Sequence, residues 1–114
     1  MKKVSIGTHI LLNLLECNQD LLTRSNVVRE ILISTVEQSG LTKVAESFYQ
    51  FEPSGVTGVL LLSESHICIH TWPEFNMAAL DIFSCSDESK AQKATEILIE
   101  KFSAKRVEKQ VCYR

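Results

Sequence analysis

Residues 56–74 of the chain, VTGVLLLSESHICIHTWPE, join an unbroken apolar run to a dense group of reactive side chains. The run from Val59 to Leu62 is typical of a buried strand. The segment from Glu64 to Glu74 then carries two imidazoles, a thiol, hydroxyls, two carboxylates and the only tryptophan of the chain. This order predicts a reactive site built on a rigid strand.

Length and composition indicate a single domain over residues 1–114. Apolar residues make up 45% and charged residues 23%, as in ordinary globular proteins. The net charge is −2 with scattered lysines and arginines, so the sequence predicts no nucleic-acid partner. No apolar run is long enough to cross a bilayer and no leader pattern follows Met1, which favours a cytoplasmic location without membrane contact.

The order of elements predicts an α+β fold, a two-layer sandwich in which two helices pack on one face of an antiparallel sheet. Helical spacing of apolar residues predicts a helix that Ser25 caps and Gly40 ends, and a second helix that Asp87 caps. Strands are expected over residues 5–15, 41–52, 56–62, 77–85 and 106–112. Two helices cover only one face of such a sheet, so a homodimer is expected to cover the other.

Side-chain alternation along a strand would place His66, Cys68 and His70 on one side of this stretch and Ser65 on the other. The three could hold zinc with a fourth ligand from a neighbouring strand, although structural zinc sites rarely draw three ligands from one strand. A serine hydrolase is less well supported, because no nucleophile-elbow glycine pattern surrounds Ser65. If Ser65 and His70 serve one site, a bulge or bend between them is expected.

The Glu-Ser-His motif at residues 64–66, followed by Ile-His-Thr-Trp-Pro-Glu at residues 69–74, closely resembles the signature of the bacterial and archaeal S-adenosylmethionine decarboxylases. Three further blocks resemble the same family in order and spacing: residues 7–9, 47–58 and 78–85. The resemblance spans nearly the whole chain. It implies a pyruvoyl-dependent lyase that decarboxylates S-adenosylmethionine and gives the aminopropyl donor for spermidine synthesis.

The resemblance further implies autocatalytic cleavage between Glu64 and Ser65, which turns a zymogen into chains 1–64 and 65–114. The Oγ atom of Ser65 would attack the carbonyl of Glu64, and β-elimination and hydrolysis would leave a pyruvoyl group as the cofactor. That group would form a Schiff base with the substrate amine and accept electrons as carbon dioxide leaves. No metal is required.

The resemblance also assigns roles to other residues. His70 would accept the proton removed during processing, Thr57 would support processing, and Cys85 would donate a proton to the decarboxylated carbon. The expected substrate-binding residues are Phe51, Trp72 and Glu74. Aromatic rings suit a cationic nucleoside, and a carboxylate accepts hydrogen bonds from a ribose diol.

Two other functions stay open at this point. The same pyruvoyl chemistry could act on arginine or ornithine, because the side-chain pocket alone selects the substrate. A non-enzymatic zinc-binding or structural dimer module is the third hypothesis. The chain also departs from the family at Cys68, where relatives usually carry a hydroxyl or small residue.

Overall fold

A computed structural model describes residues 6–85 and 87–114. A six-stranded antiparallel sheet carries two helices on one face, which confirms the predicted α+β sandwich. The strands are β1 (Thr8–Leu15), β2 (Lys43–Gln50), β3 (Val56–Leu62), β4 (Ser65–Trp72), β5 (Met77–Ser84) and β6 (Arg106–Tyr113). The helices are α1 (Ser25–Ser39) and α2 (Glu88–Lys101), with short 3-10 turns at Gln19–Leu21 and Pro73–Phe75.

The strands lie in the spatial order β2-β3-β4-β5-β1-β6. Each neighbouring pair is antiparallel. The first strand of the chain therefore lies between the fifth and the sixth, and β4 lies inside the sheet with a partner on each side.

Two helix boundaries follow the sequence prediction. Gly40 ends α1 with φ 78°, a left-handed conformation that glycine adopts without a Cβ clash. Asp87 caps α2, where its carboxylate accepts a hydrogen bond from the backbone N–H of Ser89 at 2.8 Å.

The start of α1 differs from the prediction. Ser25 is the first helical residue, and the capping position belongs to Arg24, whose side chain makes no capping hydrogen bond. The backbone N–H of Ser25 instead donates to the Gln50 side chain at 2.6 Å. A residue from β2 thus satisfies an exposed donor of the helix terminus, and no local serine cap is needed.

One hydrophobic core fills the space between the sheet and the helices. Ile67 and Ile69 on β4 are fully buried in it, together with Leu80 and Ile82 on β5. Each such side chain stabilises the fold by about 1.5–3 kcal/mol. Because side chains alternate along a strand, burial of Ile67 and Ile69 directs His66, Cys68 and His70 to the opposite face.

That opposite face, which no helix covers among the described residues, is called the open face below. It carries large apolar side chains that solvent reaches: Leu11 is 40% exposed, Leu61 49% and Tyr49 62%. These side chains are available to contact another molecule. Within residues 6–85 and 87–114, neither helix has the length and apolar character needed to span a membrane.

The expected bulge between Ser65 and His70 is absent, and that prediction was wrong. Strand β4 pairs without interruption with β3, from Ser65 opposite Leu62 to His70 opposite Thr57, and it is equally regular against β5. A bulge in an internal strand would disturb two hydrogen-bond ladders at once. Ser65 therefore points to the helix-covered face and His70 to the open face, about 16 Å apart along the strand.

Candidate active site

The residues predicted to act together fall into two groups at opposite ends of β4. We call the first the cleavage group, which consists of Glu64, Ser65 and Cys85. The second is the recognition group, which consists of Phe51, Thr57, His70, Trp72 and Glu74. The residues of each group lie near one another, and the length of β4 separates the two groups.

The turn between β3 and β4 holds Glu64 in a strained conformation. Residues 63–64 alone connect the two strands, and Glu64 has φ 61°. A left-handed backbone costs an L-residue with a Cβ about 1–2 kcal/mol. The strain lies next to the peptide bond predicted to break, and cleavage of that bond would release it.

The carbonyl oxygen of Glu64 is held by a backbone donor. It accepts a hydrogen bond from the N–H of Cys85 at 3.1 Å. The contact follows from the register of β4 and β5, in which Ser65 lies opposite Ser84. A fixed N–H on a carbonyl can stabilise the oxyanion that forms when a nucleophile attacks the carbon. The Cys85 side chain itself is exposed.

The hydroxyl of Ser65 is buried and has no hydrogen-bond partner among the described residues. An unpaired buried hydroxyl costs about 1–3 kcal/mol, so folded proteins rarely keep one. Here the unpaired oxygen belongs to the residue that follows the strained carbonyl. Before it reacts, the Ser65 hydroxyl therefore gains no hydrogen-bond stabilisation from the described residues.

The recognition group lines one cavity of about 380 Å³, completed by Ser54, Gly55 and Thr71. This volume lies in the range of small-molecule sites. All three predicted substrate-binding residues and both predicted processing residues of this group therefore share one cavity. The sequence analysis also expected Ser65 beside these residues, but Ser65 lies at the other end of β4.

Thr57 fixes the imidazole of His70 within this cavity. The Thr57 Oγ1 atom lies 3.0 Å from His70 Nδ1, across the pair that β3 and β4 form at this point. If the imidazole carries its proton on Nδ1 and donates it to Thr57, the lone pair of Nε2 is left to act as a base. The indole of Trp72 lies beside the same ring, with centroids 6.1 Å apart.

A cluster that sequence reasoning missed lies on the open face, near the Ser65 end of β4. The carboxylate of Asp81 accepts from His9 Nε2 at 2.9 Å and from His66 Nε2 at 3.2 Å. The thiol of Cys68 lies close to the same carboxylate, whose negative charge helps to raise the thiol's pKa. Burial raises the pKa of Asp81, but the bonds from the two histidines outweigh it, so the pKa is lowered overall.

Burial and the neighbouring Asp81 raise the pKa of Cys68 to about 11, so this thiol stays protonated at neutral pH and can donate. We call His9, His66, Cys68 and Asp81 the Asp81 cluster. Three strands contribute to it, and β1 is far from the others in sequence. His9, His66 and Asp81 lie in segments that resemble the family, whereas Cys68 departs from it, and only the position of β1 beside β5 brings the four together.

The structure does not assemble the predicted zinc comb of His66, Cys68 and His70, because His70 contacts Thr57 instead. Among the described residues, one set has ligand atoms within 4.8 Å of one another: His9, His66 and Asp81. This set could hold a divalent ion. Both Nε2 atoms, however, point at one carboxylate oxygen of Asp81, an arrangement that hydrogen bonds satisfy.

Comparison with known proteins defines the class. A family model described as S-adenosylmethionine decarboxylase matches residues 8–114. The S-adenosylmethionine decarboxylase proenzymes of Aquifex aeolicus (strain VF5) and Archaeoglobus fulgidus are each 45% identical to the chain, over 107 residues and 97 residues. These alignments cover 94% and 85% of this chain, and 79% and 87% of the relatives.

A solved structure agrees with these matches. The crystal structure of the adenosylmethionine decarboxylase from Aquifex aeolicus VF5 superposes with a TM-score of 0.94 at 42% identity, covering 98% of this chain and 92% of that one. The chain belongs to the S-adenosylmethionine decarboxylase family. This membership confirms the predicted enzyme class, and it does not favour the arginine, ornithine or zinc-module alternatives.

Proposed function

We propose that this chain is a precursor that cleaves itself between Glu64 and Ser65 and then decarboxylates S-adenosylmethionine with a pyruvoyl group made from Ser65. One observation carries the proposal: a buried, unpaired serine hydroxyl follows a strained residue whose carbonyl a backbone N–H already holds. The products are chains 1–64 and 65–114. The relatives bear the name proenzyme, which agrees with self-processing.

Cleavage begins when Ser65 Oγ bonds to the carbonyl carbon of Glu64. The N–H of Cys85 stabilises the oxyanion, the C–N bond breaks, and the nitrogen of Ser65 takes a proton, which leaves an ester. A base then removes the Cα proton of Ser65, the Cβ–Oγ bond breaks, and Glu64 departs as a carboxylate. Water converts the resulting dehydroalanine into a pyruvoyl group and ammonia.

His70 suits the role of this base, but His70 of the same chain cannot reach Ser65. The two residues lie about 16 Å apart on one regular strand, whereas proton transfer needs heavy atoms about 3 Å apart. The ester still ties residue 65 to residue 64 when the proton is removed, so the chain end cannot swing across the gap. A second chain has to supply the base.

We infer that the open face packs against the open face of a second copy. Two sheets packed face to face lie about 10 Å apart. A two-fold axis that lies between the sheets and runs perpendicular to β4 reverses the strand in the partner. The cleavage group of each protomer then meets the recognition group of the other. The exposed side chains Leu11, Tyr49 and Leu61 supply apolar surface for this contact.

This arrangement needs no change of side-chain direction in β4. The base acts on the Cα proton of Ser65, which belongs to the backbone, so His70 of the partner subunit can approach from the open face. The Ser65 hydroxyl has attacked in the earlier step, from its own side of the strand. Each dimer would contain two composite active sites.

The recognition cavity suits a sulfonium nucleoside. Phe51 and Trp72 offer exposed aromatic faces for stacking and cation–π contact, and Glu74 offers a carboxylate to the ribose hydroxyls. When formed, the pyruvoyl group supplies a carbonyl that withdraws electrons from the substrate during decarboxylation. Cys85 lies next to the scissile bond and would return a proton to the product.

Denaturing mass spectrometry of the purified protein tests the proposal. Two chains are expected, divided after residue 64, and the smaller should react with carbonyl reagents. Ser65→Ala, which removes only the nucleophile, should stay intact and serves as the control. A chain that remains uncleaved after long incubation under native conditions would refute the proposal. Carbon dioxide release from S-adenosylmethionine, arginine and ornithine then tests the substrate.

A further inference from the structure

We propose that the Asp81 cluster holds the new chain end in position after self-cleavage, so that it acts as a positioning device for the cofactor. This inference rests on the proposed function, because it concerns the state of β4 once the bond after Glu64 is broken. Before cleavage, the turn at residues 63–64 ties the start of β4 to β3.

Cleavage removes that tether and makes residue 65 a chain terminus. Terminal strand residues fray unless side chains fix them. The first side chain of β4 that is fully buried is Ile67. His66 is thus the one residue between the cofactor position and the core, and its side-chain contacts add to the pairing of β4 with β3 and β5 in holding the terminus.

The contacts of His66 lead directly to the Asp81 cluster. Its Nε2 donates to Asp81, which also accepts from His9 on β1 and lies close to the thiol of Cys68. The ring of Phe83 packs against both imidazoles, with centroids 5.8 Å from His66 and 5.6 Å from His9. The terminus is therefore bound to two other strands through charged hydrogen bonds, which are stronger than neutral ones.

An ionised carboxylate has enough lone pairs to accept from both histidines at once. The lowered pKa of Asp81 keeps it ionised, and the raised pKa of Cys68 keeps its proton available. Since the turn and the cluster hold the same end of β4, removal of the cluster should matter little before cleavage and strongly after it. A purely structural cluster would act equally in both states.

The test compares Asp81→Asn with the unaltered sequence in two backgrounds, the processed protein and the uncleavable Ser65→Ala precursor. Amide hydrogen exchange at residues 66–68 is the readout. In processed protein the variant should lose protection by roughly tenfold to a hundredfold, the value of a charged hydrogen bond. In the precursor, exchange should change by less than about threefold. Glu108→Gln is the matched control, because Glu108 is an exposed open-face carboxylate whose hydrogen bond within residues 6–85 and 87–114 comes from Asn13.

His66→Gln, which keeps a side-chain N–H donor, should retain most of the protection that His66→Ala loses. Decarboxylation should follow the same order, with a loss in kcat larger than the change in KM, because the reactive group is misplaced rather than the substrate cavity.

Equal loss of protection in both backgrounds, or no loss in processed Asp81→Asn, would overturn the inference. Stoichiometric zinc bound by the processed protein would also overturn it, since a metal would then hold these residues. Failure of the unaltered chain to cleave would instead refute the proposed function.

Discussion

Subunit complementation follows directly from the length of β4. Ser65→Ala removes the nucleophile and His70→Ala removes the base, so neither variant alone should form a pyruvoyl group. In a mixed dimer with composite sites, one site unites the intact Ser65 of one chain with the intact His70 of the other. That site should process normally, and the second site of the same dimer carries both lesions.

The separation in the structure sets the expected size of the effect. About 16 Å of rigid strand lies between the two residues, roughly five times the reach of proton transfer, so processing within one chain should be undetectable. Coexpression in equal amounts makes about half of all dimers mixed, and about half of the His70→Ala chains should then yield pyruvoyl chains.

Differently tagged chains and denaturing mass spectrometry would measure the yield. The control is each variant expressed alone, together with a mixture of two Ser65→Ala chains that carry the two tags. Absence of processed His70→Ala chains from purified mixed dimers would refute the composite site. Processing of His70→Ala expressed alone would show that His70 is not the base.

Three further outcomes are expected. Cys85→Ala keeps its backbone N–H and should cleave at a normal rate. Decarboxylation should fall by about a hundredfold because the proton donor is missing. Full activity in a turnover assay would contradict the role of Cys85 as proton donor. Glu64→Gly should stabilise the uncleaved Ser65→Ala precursor against urea by about 1 kcal/mol, because glycine adopts φ 61° without strain, whereas Glu64→Ala should not. Asp81 has a pKa below its ordinary value of 3.8, so its ionised form stabilises the fold above that pH and this contribution is lost as the pH falls through the lowered pKa. Asp81→Asn should therefore flatten the acid limb of the stability of the processed protein, measured by denaturant unfolding, and an unchanged limb would contradict the assignment.

Much of the fold could be predicted because its signals are local. Strand β3 has the predicted bounds, Val56–Leu62, because a continuous apolar run is followed at once by a turn. Gly40 and Asp87 mark helix ends for local reasons: Gly40 has no Cβ to oppose a left-handed conformation, and the Asp87 carboxylate accepts a backbone N–H. The proximity of the recognition residues could be anticipated in part, since they lie on β3 and β4, in the loop before β3 and in the turn after β4, which follow one another in the chain.

What the sequence could not supply depends on distant contacts. The bulge predicted in β4 assumed that Ser65 and His70 act within one chain, and only the regular pairing with both neighbours excludes it. The Asp81 cluster needs β1 beside β5, a neighbour relation that no local pattern encodes. The hydrogen bond from Cys85 to Glu64 depends on the register of β4 and β5, which is fixed by the packing of both strands.

The position of β1 has a consequence for the fate of the two cleavage products. The larger product would contain β1, β2, β3 and α1, and the smaller would contain β4, β5, β6 and α2. Because β1 lies between β5 and β6, a strand of the larger product is inserted between two strands of the smaller one. Neither product can dissociate without breaking the backbone hydrogen bonds on both sides of β1. Cleavage of the chain is therefore compatible with an intact fold. A dimer of two precursors would become an assembly of four chains, in which the two products of each precursor stay together as one subunit.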